Sequence, residues 1–358
     1  MTKTPSKQII HPTMTGGWKL TDLDAVEKNG FNVFSCFHCG GGSTMGYKLA
    51  GYTVLGGVEI DPKIMKVYRA NHHPKHSYEM PVKEFNEIPR ADIPAELFDL
   101  DILDGSPPCS SFSMAGARER KWGKEHAFRE GQAVQELDSL FFDYIRTAEI
   151  LQPKIVVAEN VKGLIIGNAK GYVKEIFREF DKAGYEVQLF LLNGCKMGVP
   201  QRRERTFFLA RRKDLNLPKI ELDFNEPLIT VGEALEGMTP EGKITWLTPG
   251  STALWEKVKP GETLSKAHPK GHRFNAFKAN PNAPSNTFTA SGDGVAIHWK
   301  EPRRLAQNEA IRIQSFPDDY DFGALDPVYM LGMSVPPFMA QRVAHQIRVQ
   351  WLEALNDG

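Results

Sequence analysis

A thiol, a carboxylate and two guanidinium groups stand in this sequence where strand ends can bring them together. Cys109 lies in the polar, proline-stiffened stretch GSPPCSSFS (105–113), just past the apolar run FDLDILD (98–104). In an open α/β sheet the carboxyl ends of the strands form the ligand crevice, so a thiol there is a candidate nucleophile. At an ordinary pKa near 8.5 it is only about 3% thiolate at pH 7, a shortfall of roughly 2 kcal/mol that a nearby base or cation must recover. A buried, inert cysteine is the ordinary alternative, against which stand the two prolines and the flanking serines. Glu159 directly follows the strand-like KIVVA (154–158) and enters the same crevice if the two strands are neighbours. Arg203 and Arg205, in QRRER (201–205), have the i, i+2 spacing that puts both side chains on one face of an extended chain. A surface arginine pair would look the same in isolation. The set is a nucleophile facing an acid, with cations beside them.

A second group points to a ligand. CGGGSTMG (39–46) follows an apolar run and opens a helix-length stretch, so backbone N–H groups face whatever sits there. It is not a dinucleotide fingerprint, because Met45 stands where Gly or Ala is required. Glu59, 17 residues beyond Gly42, ends the next strand, where α/β nucleotide sites place an acid on ribose hydroxyls. Together they suggest a nucleoside-containing ligand without a pyrophosphate; a structural turn with an exposed Glu is the alternative. A metal is not expected. Cys36-x-x-Cys39 lacks a second pair, and Pro74 breaks the register of His72, His73 and His76.

The elements that must position these groups show in the hydrophobic pattern. FNVFSCF (31–37), YTVLGGV (52–58), 98–104, 154–158, VQLFLLN (187–193) and RTFFLA (205–210) read as strands. Helical spacing intervenes at 43–50 and over Leu137, Leu140, Phe141, Tyr144, Ile145 and Ala148. This β-α-β rhythm predicts an α/β fold with a mostly parallel sheet. Residues 1–30 read as a polar lead-in. From 214 to 300 the composition turns to Pro, Gly, Asn, Thr and Lys, and 241–280 carries seven Lys/Arg against three Glu, interleaved with Trp246, Trp255, Phe274 and Phe277. That mixture suits nucleic acid, as it would a solvated face. After Pro336–Pro337, Val343, Ile347, Trp351 and Leu355 form an i+4 stripe. Across 358 residues, 44 Lys+Arg cancel 44 Asp+Glu, so a polyanion would have to be met by local patches. Four cysteines are too few for a disulfide scaffold. With no long apolar run, the expectation is a soluble cytoplasmic protein, nucleoid-associated in a bacterium, with no membrane contact.

Taken in order, the Gly cluster, Glu59, PPC (107–109), ENV (159–161), QRRER, RRLAQNEAIRIQSFPD (303–318) and GMSVPP (332–337) resemble the DNA (cytosine-5) methyltransferase family over about 31–214 and 300–358. The resemblance implies a Rossmann-like, S-adenosylmethionine-dependent domain (31–213), a smaller irregular target-recognition domain (214–300) and a return segment (301–358) that completes the cofactor pocket. It makes Cys109 the nucleophile and Glu159 the acid that engages the cytosine ring, with Arg205 on the base oxygen and Arg203 bracing the site. Phe37, Gly41, Gly42, Glu59, Ile60, Glu79, Pro108, Leu140 and Ser334 fall where the family contacts the cofactor. Double-stranded DNA is the implied partner, with a restriction endonuclease as a partner in the cell and a monomer as the assembly. Ser35, Cys39, Glu79, Ser110 and Met333 depart from the family's usual Asp, Gly, Asp, Gln and Asn. Between Cys109 and Leu140 the chain is longer than is common, with Arg118, Arg120, Lys121, Lys124 and Arg129 suited to a loop closing over phosphates.

The implied chemistry is addition of the thiolate to carbon 6, with Glu159 kept protonated by desolvation so that it can serve N3. Methyl transfer to carbon 5, loss of the carbon-5 proton and elimination of Cys109 follow. A stacked base admits neither reactant, so the target must leave the helix, which costs a few kcal/mol. Two readings compete: the same chemistry on transfer RNA, and a catalytically silent DNA-bound regulator. A nicotinamide oxidoreductase is disfavoured by the failed Gly fingerprint.

Overall fold

Alternate residues of the central strands belong to opposite cores, which is why they appear in the sequence as unbroken apolar runs. The computed structural model describes residues 17–108, 139–166, 170–290 and 294–356. Cys109, Ser110 and the basic residues from Arg118 to Arg129 lie outside them, as does Leu137. Seven strands form one sheet: β1 (Asn32–Cys36), β2 (Thr53–Glu59), β3 (His76–Glu79), β4 (Ile102–Gly105), β5 (Ile155–Val161), β6 (Tyr185–Asn193) and β7 (Glu204–Arg212). Their order is β3-β2-β1-β4-β5-β7-β6. All pairings are parallel except those of β7, which runs antiparallel to both β5 and β6. On β1, β4, β5 and β7, Val33, Ile102, Val157 and Leu209 face one core. Phe34, Leu103, Val156 and Phe208 face the other.

The mostly parallel sheet agrees with the sequence reading, with two differences. The apolar run from 98 is a strand only over Ile102–Gly105, its beginning lying in the 3-10 turn Ala95–Phe98. β3 was not foreseen because HSYE carries neither an apolar run nor a clear alternation; it needs neither, as an edge strand paired only to β2.

Helices cover both faces. α1 (Gly42–Leu49), α2 (Pro62–His72), α3 (Leu140–Leu151) and α4 (Lys170–Lys182) follow their strands, and α5 (Gln307–Ile313), α6 (Pro327–Met333) and α7 (Pro337–Ile347) come from the end of the chain. α2 starts on Asp61, whose carboxylate accepts from Lys63 N at 2.8 Å and from Ile64 N at 3.3 Å. On α3, Tyr144 donates to Leu103 O (2.9 Å) and Val157 O (2.7 Å), which ties the helix to β4 and β5. α7 packs on α1, and the approach is close because of Gly46: a Cβ there would stand 2.5 Å from Ala340 Cβ and 2.6 Å from Pro337 O. Beyond α7 the chain widens into a π-turn (Arg348–Leu352), and Trp351, fully buried, donates to Pro218 O at 2.8 Å. Val343 and Ile347 of the expected stripe are buried with it.

Within the polar lead-in, residues 17–25 are tied to the end of the chain. Trp18 is buried against Phe338 and donates to Ser315 O at 3.0 Å. Within 214–300, Val258, Leu264, Ala276 and Ile297 make a small core of their own, whereas Ile220, Val231, Ala234, Phe288 and Val295 join the main one. Among the described residues no helix is long and apolar enough to cross a membrane.

Gly→Ala in a helix ordinarily stabilises, by about 0.4–1 kcal/mol. At Gly46 the α1–α7 contact reverses the sign, and we expect Gly46→Ala to lose about 1–3 kcal/mol through overpacking. Urea unfolding checks it; a higher midpoint would contradict the packing described.

Candidate active site

The strand ends hold two adjoining features, a cavity beside the Gly loop and an acid–guanidinium pair. The cavity is walled by Phe37 and Cys39 from the loop after β1, Ser43 from the first turn of α1, Glu59 and Ile60 from the end of β2, and Ser106 and Pro108 after β4. Tyr329, Met333, Ser334 and Val335 from α6 and the turn after it close the remaining side. Glu59 is buried, and its carboxylate accepts from the backbone N–H groups of Cys39 (3.2 Å), Ile60 (3.0 Å) and Asp61 (3.1 Å). Burial outweighs those donors and pushes it up to about 7. The carboxylate can take the paired hydroxyls of a ribose, while Phe37, Ile60 and Pro108 give apolar surface for a flat base. These residues fit a nucleoside.

The Gly loop is shaped by close approach. A Cβ on Gly42 would lie 2.0 Å from Val335 O, and Gly41 has φ +72° with the His72 ring where its Cβ would be. Phe37 and Cys39 also take the left-handed conformation, with φ 54° and 48°. The family's glycine adopts that backbone freely, so Cys39 departs from the pattern at the price of local strain.

Beneath the loop lies a residue the sequence reading did not single out. Asp104, buried on β4 opposite Ser35 of β1, accepts from the hydroxyls of Ser35 and Ser43, both at 2.8 Å, and of Tyr47 at 3.2 Å. Ser35 departs from the family's Asp, and a carboxylate stands on the neighbouring strand at the paired position. That pairing needed the β1–β4 register, which no sequence signal supplied.

Glu159 and Arg205 meet on β5 and β7, with Arg205 Nε 2.9 Å from Glu159 Oε1 and both side chains nearly buried. Arg203 is wholly buried and donates to three carbonyls: Phe288 O (3.0 Å), Gly332 O (2.7 Å) and Ser334 O (3.0 Å). It braces the turn that carries Ser334 and makes no side-chain bond to Glu159. Desolvation, then repulsion from Arg205, holds its guanidinium well below the usual range. The Arg205–Glu159 contact adds a constraint: Arg205 must divide its hydrogen bonds between Glu159 and an incoming ring. Cys109 lies outside the described residues; the chain that leads to it is held at Pro107. Asn160, next to Glu159, donates from Nδ2 to Pro107 O at 2.9 Å in a buried hydrogen bond.

Of the expected cofactor contacts, Phe37, Glu59, Ile60, Pro108 and Ser334 line the cavity. Gly41 and Gly42 shape the loop behind it. Leu140 is buried at the start of α3, and Glu79 is held in an ion pair with Arg69 at 3.0 Å; neither is in the cavity wall. On the surface of the 241–278 segment Trp246 and Phe274 are 60% and 67% exposed. Trp255, by contrast, is structural: Lys278 lies 4.0 Å over its ring and donates to its carbonyl. Among the described residues no three metal-ligating side chains stand together.

The C-5 cytosine-specific DNA methylase family model matches residues 31–349. Type II methyltransferase M.NgoPII of Neisseria gonorrhoeae is 29% identical, the match covering 89% of this chain and 96% of the relative. M.Sau96I of Staphylococcus aureus is 30% identical, over 94% of this chain and 80% of the relative. Among solved structures, a protein described as a prophage-encoded DNA modification methyltransferase of E. coli superposes with a TM-score of 0.67 at 21% identity, covering 92% of this chain and all of the other. A DNMT2 variant of Spodoptera frugiperda gives 0.63 at 15%, covering 89% and 99%. At these identities the structural likeness speaks for the fold.

Because the fold raises Glu59 from 4.5 to about 7, ionising it destabilises the ligand-free protein, an effect absent below pH 4.5 and complete above about pH 7. We expect Glu59→Gln to raise Tm at pH 8, leave it unchanged at pH 4.5, and weaken ribonucleoside binding at pH 8. An unchanged Tm at pH 8 would contradict the burial argument.

Proposed function

The chain belongs to the C-5 cytosine-specific DNA methylase family, and from that premise we propose that it methylates carbon 5 of a cytosine turned out of double-stranded DNA, using S-adenosylmethionine and a transient bond to Cys109. The observation that carries this reading is the hydrogen bond from Asn160 to Pro107 O, which fixes the chain two residues before the thiol beside the residue that follows Glu159. S-adenosylmethionine, when bound, supplies an electrophilic methyl group on a sulfonium.

The chain's residues do the rest. Glu59 would hold the ribose hydroxyls, Phe37, Ile60 and Pro108 the adenine, and Ser334 the far wall. Carbon 5 is a poor nucleophile because attack through it costs ring aromaticity. Thiolate addition at carbon 6 removes that obstacle. Glu159, in its protonated form, donates to N3 as negative charge develops there, and Arg205 holds the base oxygen while in contact with Glu159. Removal of the carbon-5 proton then lets the Cys109–carbon 6 bond break, and the electron pair returns to sulfur. Arg203 acts as a positioning residue through the backbone.

DNA as the polymer is supported by the family description and by relatives named type II methyltransferases, which also suit a restriction-modification setting with an endonuclease partner. We assign target recognition to 214–300, which has a small core of its own and carries the exposed Trp246 and Phe274. The catalytic domain then comprises 31–213 and 301–358, preceded by the lead-in 1–30. A DNA-modifying enzyme works where the DNA is, in a bacterium the cytoplasm.

With methyl-labelled S-adenosylmethionine, we expect label on cytosine carbon 5 of plasmid DNA and none on total RNA; the reverse would transfer the chemistry to RNA. Cys109→Ala should abolish transfer while duplex affinity stays within about threefold, and lost binding would remove the residue from the chemistry. Glu159→Gln should slow transfer by about 10²-fold or more; a near-normal rate would end its role as ring acid.

A further inference from the structure

Asp104 is a buried carboxylate whose three side-chain partners are all neutral hydroxyls. Among the described residues neither Asp104 nor Glu59 has an ion pair, whereas Glu159 is paired with Arg205. Ser43, which bonds Asp104 at 2.8 Å, is itself part of the cavity wall. A negative charge therefore stands one hydrogen bond behind that wall, in a low-dielectric setting with no cationic partner among the described residues. Such an arrangement favours a cation in the cavity. Burial pushes Asp104 up to about 6, so it is ionised at pH 8.

Building on the proposed use of S-adenosylmethionine, we propose that Asp104 is the charge-selecting residue of the cofactor cavity, favouring the cationic sulfonium ligand over the neutral thioether that remains after methyl transfer. Ligand and product share adenosine and amino-acid parts, so Glu59, Phe37 and Ile60 grip both alike. The charge on sulfur is what distinguishes them. Its loss on transfer removes the attraction to Asp104 and promotes exchange of product for fresh cofactor. Ser35 and Ser43 are part of the device, because their hydroxyls favour the charged form of the buried carboxylate.

The test is equilibrium binding to the full chain at pH 8, without DNA, using S-adenosylmethionine, S-adenosylhomocysteine and an analogue with an amine-bearing carbon in place of the methylsulfonium. The wild type should bind both cationic ligands more tightly than the neutral one, and equal affinities would overturn the proposal without recourse to any variant. Asp104→Asn should weaken the cationic ligands about tenfold and the neutral one less than about twofold. A residue that only holds the loop in shape would weaken all three alike. The exchange S35D/D104S, which returns the carboxylate across the same register pair, should restore the preference; failure to do so in a folded, ligand-binding variant would count against a charge effect. A wild type that binds none of the three would overturn the cofactor reading itself, an outcome distinct from equal binding.

Discussion

The buried hydrogen bond from Asn160 to the Pro107 carbonyl is the contact on which the rest of the site depends. It is possible because β4 and β5 are parallel neighbours with Gly105 opposite Ala158, so the chain leaves both strands at the same level. Pro107 cannot donate from its nitrogen, and its carbonyl is the handle the second strand grasps. Tyr144 reinforces the pairing from the face of the sheet by donating to carbonyls on both strands. An unmade hydrogen bond at a buried carbonyl costs about 1–3 kcal/mol, enough to keep this geometry closely determined.

A second set of buried bonds joins the Glu159–Arg205 edge to the cavity beside the Gly loop. Arg203 Nη2 and Gln314 Nε2 both donate to Ser334 O, and Gln314 Oε1 accepts from Gln201 at 2.9 Å. The last sixty residues are thereby fastened to the turn that precedes Arg205. Polar groups inside a protein are economical only when fully partnered, and here the partners are mostly backbone carbonyls, which rotate less than side chains. The carboxylates of Glu59 and Asp104 follow a different logic: their burial weakens the empty fold and makes the cavity selective once filled, a familiar exchange between stability and function.

Much of this was legible beforehand. Runs such as KIVVA and RTFFLA are buried on both faces, and apolar continuity is a signal that a single sequence carries. The Gly cluster and Glu59 were legible because the end of a strand and the start of a helix dictate what they face. The Arg205–Glu159 bond and the Asp104 cluster were not, since each depends on register between strands far apart in sequence. β3 escaped because an edge strand has little apolar surface to bury, and the docking of Trp18 because it is one aromatic residue in a polar stretch. Nor was the strain at Cys39 legible, since only the structure shows that the chain turns left-handed there, a backbone that glycine adopts freely and cysteine does not.

The claim that unites the account is that sulfur attacks the ring from the Pro107–Pro108 side while the Glu159 carboxyl meets it from β5. A duplex carrying 5-fluorocytosine at the target base tests this directly, because fluorine cannot leave as the proton does and the adduct persists after methyl transfer. Mass spectrometry of the digested complex, formed with the wild-type chain and S-adenosylmethionine, should find the nucleotide on Cys109 at one equivalent per chain. An adduct on any other residue, or none while ordinary cytosine is methylated normally, would contradict the account.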